Sequence, residues 1–191
     1  TAFSLAFLAY NLKFLWAWMI DGIRLPLLGR LGQRVSWMLL AGTLVIAAVL
    51  NLALVDPKSS IMAAAVAAIL VAMAGATYDI VIDAYRIETL HAYQLGVGSG
   101  MSQYGWRIGS AGAGALALLV AARYGWTLAY IATTLFALPA MLTALVLGEP
   151  SRRVVTNTKQ GWVQLRESII GPFVEFLRRR GEETGTLVRL K

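Results

Sequence analysis

The stretch IMAAAVAAILVAMAGATYDIVIDAYR, residues 61–86, decides the fold class. Its first eighteen residues carry no charge, and an α-helix needs roughly 20 mostly apolar residues to cross about 30 Å of hydrocarbon. In lipid every backbone N–H and C=O must be satisfied within the segment, so such a run is a helix. The last eight residues then place three ionisable groups at its end: Asp79, Asp83 and Arg86. At 100° per residue these fall within an arc of roughly 60°, on one face, while Glu88 points the opposite way. An ionisable side chain inside a span costs a few kcal/mol and therefore faces a protein interior or a water-filled cavity.

Outward from this stretch the pattern repeats. Apolar spans are predicted at 1–20, 37–55, 61–82, 95–122 and 126–147, giving an all-α, polytopic membrane bundle of about five helices over residues 1–148. The composition agrees: 58% of the 191 residues are hydrophobic and only 14% charged, too apolar for a soluble domain of this size. Cysteine is absent, which excludes disulfides, a thiol nucleophile and thiolate metal sites. His91 is the one histidine and cannot build a zinc site alone, so no cofactor or metal is expected. The first span begins in mid-pattern, with no charged leader region, as a piece of a longer chain would.

The net charge of +7 reads as topology rather than as a nucleic-acid surface. Arg24, Arg30 and Arg34 follow the first span, Arg86 the third, and nine Lys and Arg lie beyond Leu147, whereas the alternate links hold only Lys58 and Arg123. The first link and the tail are therefore predicted to be cytoplasmic, with the tail from about Glu149. Residues 149–191 form a basic linker in which Trp162, Leu165, Ile169, Phe173 and Phe176 recur at near-helical spacing, suited to the inner membrane surface. An odd number of spans starting at the outer face predicts one further helix upstream.

A short internal repeat accompanies this pattern. Tyr10-Asn11-Leu12-Lys13 and Asp56-Pro57 are echoed by Tyr104-Gly105-Trp106-Arg107 and Glu149-Pro150, with offsets of 43 and 42 residues from base to acid. Secondary transporters are commonly built from such three-helix repeats.

The second and fifth predicted spans hold no charge and suit the lipid-facing periphery; the first, third and fourth hold Lys13, then Asp79, Asp83 and Arg86, then Arg107. Asp79 and Arg107 lie at similar depth, roughly 16 to 18 Å from the cytoplasmic ends, so Asp79 is predicted to pair with Arg107 or Lys13. A fixed structural ion pair and a pair remade during transport both fit. The fourth span is rich in glycine, with Gly96 and Gly100, and Gly105 and Gly109, in small-xxx-small spacing for close helix contact. Gln103 and Tyr104 beside them add hydrogen-bonding groups. Asp21 followed by Arg24, Arg30 and Arg34 can hold a cytoplasmic gate by charge pairing and a helix dipole.

With these segments in place, the sequence resembles the major facilitator superfamily and, within it, the AmpG-type muropeptide permeases. The resemblance rests on Lys13-Phe-Leu-Trp16, on Asp21 to Arg34 with its Leu-Pro-Leu-Leu-Gly-Arg core, on residues 76–86 with Thr77-x-Asp79-x-x-x-Asp83-Ala84, on Tyr104-Gly-Trp-Arg107-Ile-Gly109, and on Gly148-Glu-Pro150. Gly22 stands where the superfamily turn usually has a basic residue, and Tyr78 where the family commonly has glutamine. The resemblance implies the second to sixth helices of a twelve-helix transporter plus its central loop, with the C-terminal half as its partner. It implies proton-coupled import of anhydromuropeptides across the cytoplasmic (inner) membrane for peptidoglycan recycling, or carriage of another solute such as acetyl-coenzyme A.

Under alternating access, Asp79 or Asp83 is the protonation candidate, Arg107 and Lys13 meet substrate carboxylates or balance the acids, and Gln103, Tyr104 and Tyr85 bond sugar or peptide groups. The rival class is an enzyme. Asp79-x-x-x-Asp83 has the spacing of the magnesium-binding acids of membrane prenyltransferases, but the second acid-rich site such enzymes need does not occur in the sequence. A third reading, a scaffold, predicts that the buried charges pair only among themselves beside no accessible cavity.

Overall fold

A computed structural model describes residues 10–23, 25, 31–56 and 58–151. Every element among them is helical: α1 (Phe14–Gly22), α2 (Gln33–Leu54), α3 (Ile61–Thr89), a 3-10 turn (Ala92–Gln94), α4 (Leu95–Tyr124), α5 (Trp126–Thr133), a 3-10 turn (Thr134–Ala137) and α6 (Leu138–Leu147). All lie in a compact unit spanning residues 1–154. The amphipathic tail and the first nine residues of the first predicted span lie outside the described residues.

Among the described residues four stretches are long and apolar enough to cross a membrane: Gln33–Leu54, Ile61–Thr89, Ala92–Tyr124 and Trp126–Leu147. They correspond to the second to fifth predicted spans. The third is longer than expected. With 29 residues, α3 is about 43 Å long at 1.5 Å per residue, so Asp83, Arg86 and Glu88 all ride on one continuous helix. Ser60 starts it by accepting the Ala63 N–H at 3.2 Å, as a serine N-cap does.

The fourth stretch is one span made of α5 and α6, interrupted by the 3-10 turn at Thr134–Ala137. Pro139 explains the break, because it has no N–H to carry the α-helical ladder back to Leu135. Gly125, with φ of 88°, makes the sharp reversal from α4 into α5, a backbone conformation that disfavours any side chain.

The core lies where α2, α3 and the α5–α6 span meet. Ile20, Val35, Trp37, Met38, Ala41, Tyr78, Val81, Tyr85, Ala137 and Ala144 form it. The uncharged span 37–55 is therefore central on one side and peripheral on the other: Met38 and Ala41 are buried while Leu44, Leu50 and Leu54 are exposed. At Gly42 an added Cβ would lie 2.5 Å from the Met141 sulfur, so this glycine sets how closely α2 and α6 approach. Replacing Gly42 with valine is expected to destabilise the bundle by about 1–3 kcal/mol, the usual cost of overpacking, read as a lower unfolding temperature in detergent.

α4 is different. None of its residues is buried, and Val97, Met101, Tyr104, Trp106, Ile108 and Leu118 are exposed. Gly96, Gly100, Gly105 and Gly109, expected to make close helix contacts, have no neighbouring atom within 4 Å of an added Cβ. Among the described residues their smallness is not used by packing.

Candidate functional site

Two charge clusters sit on opposite faces of α3. The first was predicted in outline. Lys13, just before α1, pairs through Nζ with the Asp79 carboxylate, and the same ammonium stands 3.8 Å from Asp83 Oδ2. Arg86 completes the row, its Nη2 lying 2.9 Å from Asp83 Oδ1 one turn further along the helix. Of the two partners expected for Asp79, the structure brings in Lys13.

The contact between α1 and α3 that allows this pairing is built from small details. Trp16 Nε1 donates to Thr77 Oγ1 at 3.2 Å, and Thr77 in turn donates to the Met73 carbonyl at 2.8 Å. At Gly75 an added Cβ would lie 2.6 Å from the Tyr10 hydroxyl. Gly75→Leu is therefore expected to push the Tyr10–Lys13 segment away and loosen the pair; a crosslink between cysteines introduced at positions 16 and 77, whose native side chains touch, should fall in yield several-fold.

The four charged side chains are between 23% and 45% exposed. The groups pair with one another while each side chain stays partly exposed among the described residues. Two acids and two bases also leave it formally neutral, which keeps the cost of holding it at bilayer depth low.

The second cluster was not predicted as such. Arg34, near the start of α2, forms a forked pair with Glu88 at the end of α3, Nε to Oε2 at 2.9 Å and Nη2 to Oε1 at 2.6 Å. Their side chains are only 9% and 4% exposed. Beside them the Glu149 carboxylate, just beyond α6, accepts the backbone N–H groups of Gln33 at 2.9 Å, Arg34 at 2.9 Å and Val35 at 3.1 Å. A carboxylate here satisfies orphan donors of the helix and meets the positive end of its dipole. Gly32, with φ of 96°, makes room, because a Cβ there would collide with that carboxylate. Gln33 Nε2 and Trp37 Nε1 donate to the carbonyls of Ile20 and Ile23 at 3.1 and 2.9 Å. One end of the bundle thus ties α1, α2, α3 and α6 together.

Glu149→Ala should fray the start of α2 and cost about 1–2 kcal/mol, as for other helix caps with a charged acceptor. Faster amide hydrogen exchange at Gln33, Arg34 and Val35 is the measurement.

Of the predicted gate residues, Arg34 belongs to this cluster. Arg24, Arg30 and the Asp21 side chain lie outside the described residues. Tyr85, expected at the substrate cavity, is buried, 7% exposed, and its hydroxyl donates to the Gly148 carbonyl at 2.8 Å, fastening α3 to the end of α6. The helix period carried this signal, since Tyr85 lies about 200° from Asp83 while Tyr78, Val81 and Glu88 share its side. Tyr78 does the same work one level deeper, donating to the Ala137 carbonyl at 2.7 Å beside the 3-10 turn. Glu149 also had a trace in the sequence, as the acid of the repeated acid-proline step; its counterpart Asp56 instead accepts the Lys58 N–H within its own turn at 2.9 Å.

Gln103, Tyr104 and Arg107 are exposed on α4. Gly96, Gly100, Gln103 and Arg107 fall within an arc of roughly 60°, a narrow stripe that brings an amide and a guanidinium to one face of α4. Among the described residues Arg107 makes no ion pair, so the fourth span does not contribute its cation to the Asp79 cluster.

The Major Facilitator Superfamily model matches residues 1–182 of the chain. The chain belongs to this superfamily. The superfamily comprises transporters, not enzymes, and with the four long apolar helices this makes the chain part of a multi-pass membrane protein. It is similar to an uncharacterised Haemophilus influenzae protein, 35% identical over 174 residues, covering 91% of this chain and 40% of the relative. It is also 30% identical over 178 residues to the anhydromuropeptide permease of Escherichia coli K12, covering 93% and 35% of the two chains. A Rickettsia felis transporter named AmpG 4 is 27% identical over 184 residues, covering 94% and 44%. The chain thus spans about two fifths of the length of these relatives. No solved structure matches it.

Proposed function

We propose that the chain forms one half of the cavity wall of a proton-coupled carrier that imports anhydromuropeptides across the cytoplasmic membrane. The observation that carries this reading is the lysine of α1's leading turn shared between two carboxylates one turn apart on α3, all within reach of open space. Such a network can take up a proton on Asp79 or Asp83 and release Lys13, and each state exposes a different charge to a solute. The polar stripe of Gln103 and Arg107 on α4 supports a second contact, because a muropeptide offers carboxylates, amides and sugar hydroxyls. The named relatives support the substrate class.

The charge bias of the links supports a cytoplasmic position for the end that carries Arg34, Glu88 and Glu149. On this reading that end is the inner gate and the remaining chain of the transporter closes the cavity over the exposed faces of α3 and α4.

The test is uptake of labelled anhydromuropeptide by the full-length gene product in proteoliposomes under an imposed pH gradient. Gradient-driven accumulation is expected in the unmodified protein, and Asp79→Asn and Asp83→Asn are each expected to abolish the gradient dependence or the uptake. Unchanged gradient-driven uptake in both variants rules these acids out of coupling. Accumulation of acetyl-coenzyme A in place of the muropeptide reassigns the solute.

A further inference from the structure

At the end of the bundle opposite Glu149, a groove of about 540 Å³ opens between the end of α2 and the start of α5. Leu52 and Leu54 form its apolar wall, Trp126 and Tyr130 its aromatic side, and Asp56 and Lys58 its rim. Its size falls within the roughly 300 to 1,000 Å³ of small-molecule sites. The depth of the groove is set by the chain itself. α2 stops at Leu54 and α5 begins at Trp126, so the rim lies where the apolar spans meet water. Trp126, 58% exposed, and Tyr130, with ring centroids 6.2 Å apart, are the residue types that settle at the headgroup level of a bilayer.

The rim carries both signs of charge in a turn that holds them in place. Asp56 Oδ1 accepts the Lys58 N–H at 2.9 Å, and the Asp56 carbonyl accepts the Ser59 and Ser60 N–H groups at 3.1 and 3.2 Å. Among the described residues neither the Asp56 carboxylate nor the Lys58 ammonium makes an ion pair. An apolar trough at acyl depth below a cation and an anion at headgroup depth has the polarity of one ligand class.

We propose that this groove is a binding site for an aminophospholipid. One acyl chain lies along Leu52, Leu54 and Trp126, the phosphate faces Lys58, and the primary ammonium of the head group donates to the free oxygen of Asp56. A purely anionic head group meets repulsion from Asp56, and a choline head group has no N–H to donate.

The test places a photoreactive benzophenone amino acid at Thr127, which also lines the groove, in the full-length gene product. The protein is reconstituted in nanodiscs of equimolar phosphatidylethanolamine, phosphatidylcholine and phosphatidylglycerol, and the photo-adducts are identified by mass spectrometry. Phosphatidylethanolamine adducts are expected to exceed phosphatidylcholine adducts by about five-fold, the factor for one charge contact at a membrane surface. Asp56→Asn retains the acceptor that holds the turn and is expected to erase that preference. Lys58→Gln is expected to lower capture of both lipids. Equal capture of the two lipids by the protein with native Asp56 and Lys58, or adducts to peptide in place of lipid, overturns the proposal.

Discussion

Glu88→Ala is expected to be the most damaging single substitution among the described residues, lowering stability by about 3–5 kcal/mol, the usual effect of removing one member of a buried pair. The reason is what remains. Arg34 loses its forked acceptor while its side chain stays only 9% exposed between α2 and α3, and a guanidinium does not deprotonate to lower that cost. Both of its forked contacts, at 2.9 and 2.6 Å, vanish together. A large drop in unfolding temperature in detergent, with loss of protein from the membrane, checks this. The double variant Arg34→Met with Glu88→Leu separates the desolvated charge from the pair itself. Because buried ion pairs often contribute little net stability, the double variant is expected to recover most of the loss. If it unfolds as early as the single variant, the pair holds α2 and α3 together in a way that apolar packing cannot replace.

Lys13→Met is expected to reduce transport by at least about ten-fold while leaving the fold largely in place. Its ammonium is shared by Asp79 and Asp83, and without it the acids outnumber the single remaining cation, Arg86, which already contacts Asp83. Net negative charge at bilayer depth costs a few kcal/mol unless a carboxylate binds a proton and keeps it. On the proposed proton coupling, a carboxylate held protonated no longer cycles. Adding Asp79→Asn to Lys13→Met restores the charge balance, so expression should stay at the level of the unmodified protein while gradient-driven uptake is still not recovered. Gradient-driven uptake that persists in the Lys13→Met variant would show that the lysine only fastens α1 to α3.

These two clusters differ in how far they could be read in advance. Asp79, Asp83 and Arg86 were legible because a charge within an apolar run stands out, and because the 100° step puts them on one face whatever they pack against. Lys13 was legible as one of two candidate partners; depth alone matched Arg107 as well. The partner was settled by which helix lies beside α3, and α1 reaches it through Trp16, Thr77 and Gly75. Glu88 and Glu149 were harder. Each sits at a helix end, where a charged residue is ordinarily solvated, and nothing local distinguishes a solvated acid from one that closes a buried pair or caps a neighbouring helix.

The helical class, the four long spans of the described region, the charged face of α3 and the resemblance to a transporter family follow from sequence alone, because hydrocarbon leaves the backbone few options and penalises misplaced charge residue by residue. Tertiary structure decided the partners: Lys13 over Arg107 for Asp79, Glu88 for Arg34, the start of α2 for Glu149, and the Gly148 carbonyl for Tyr85. Insertion into lipid is a property of each segment by itself. Which helix meets which depends on side-chain shape across residues far apart in the chain, from 54 between Arg34 and Glu88 to 116 between Gln33 and Glu149, and no local pattern encodes it.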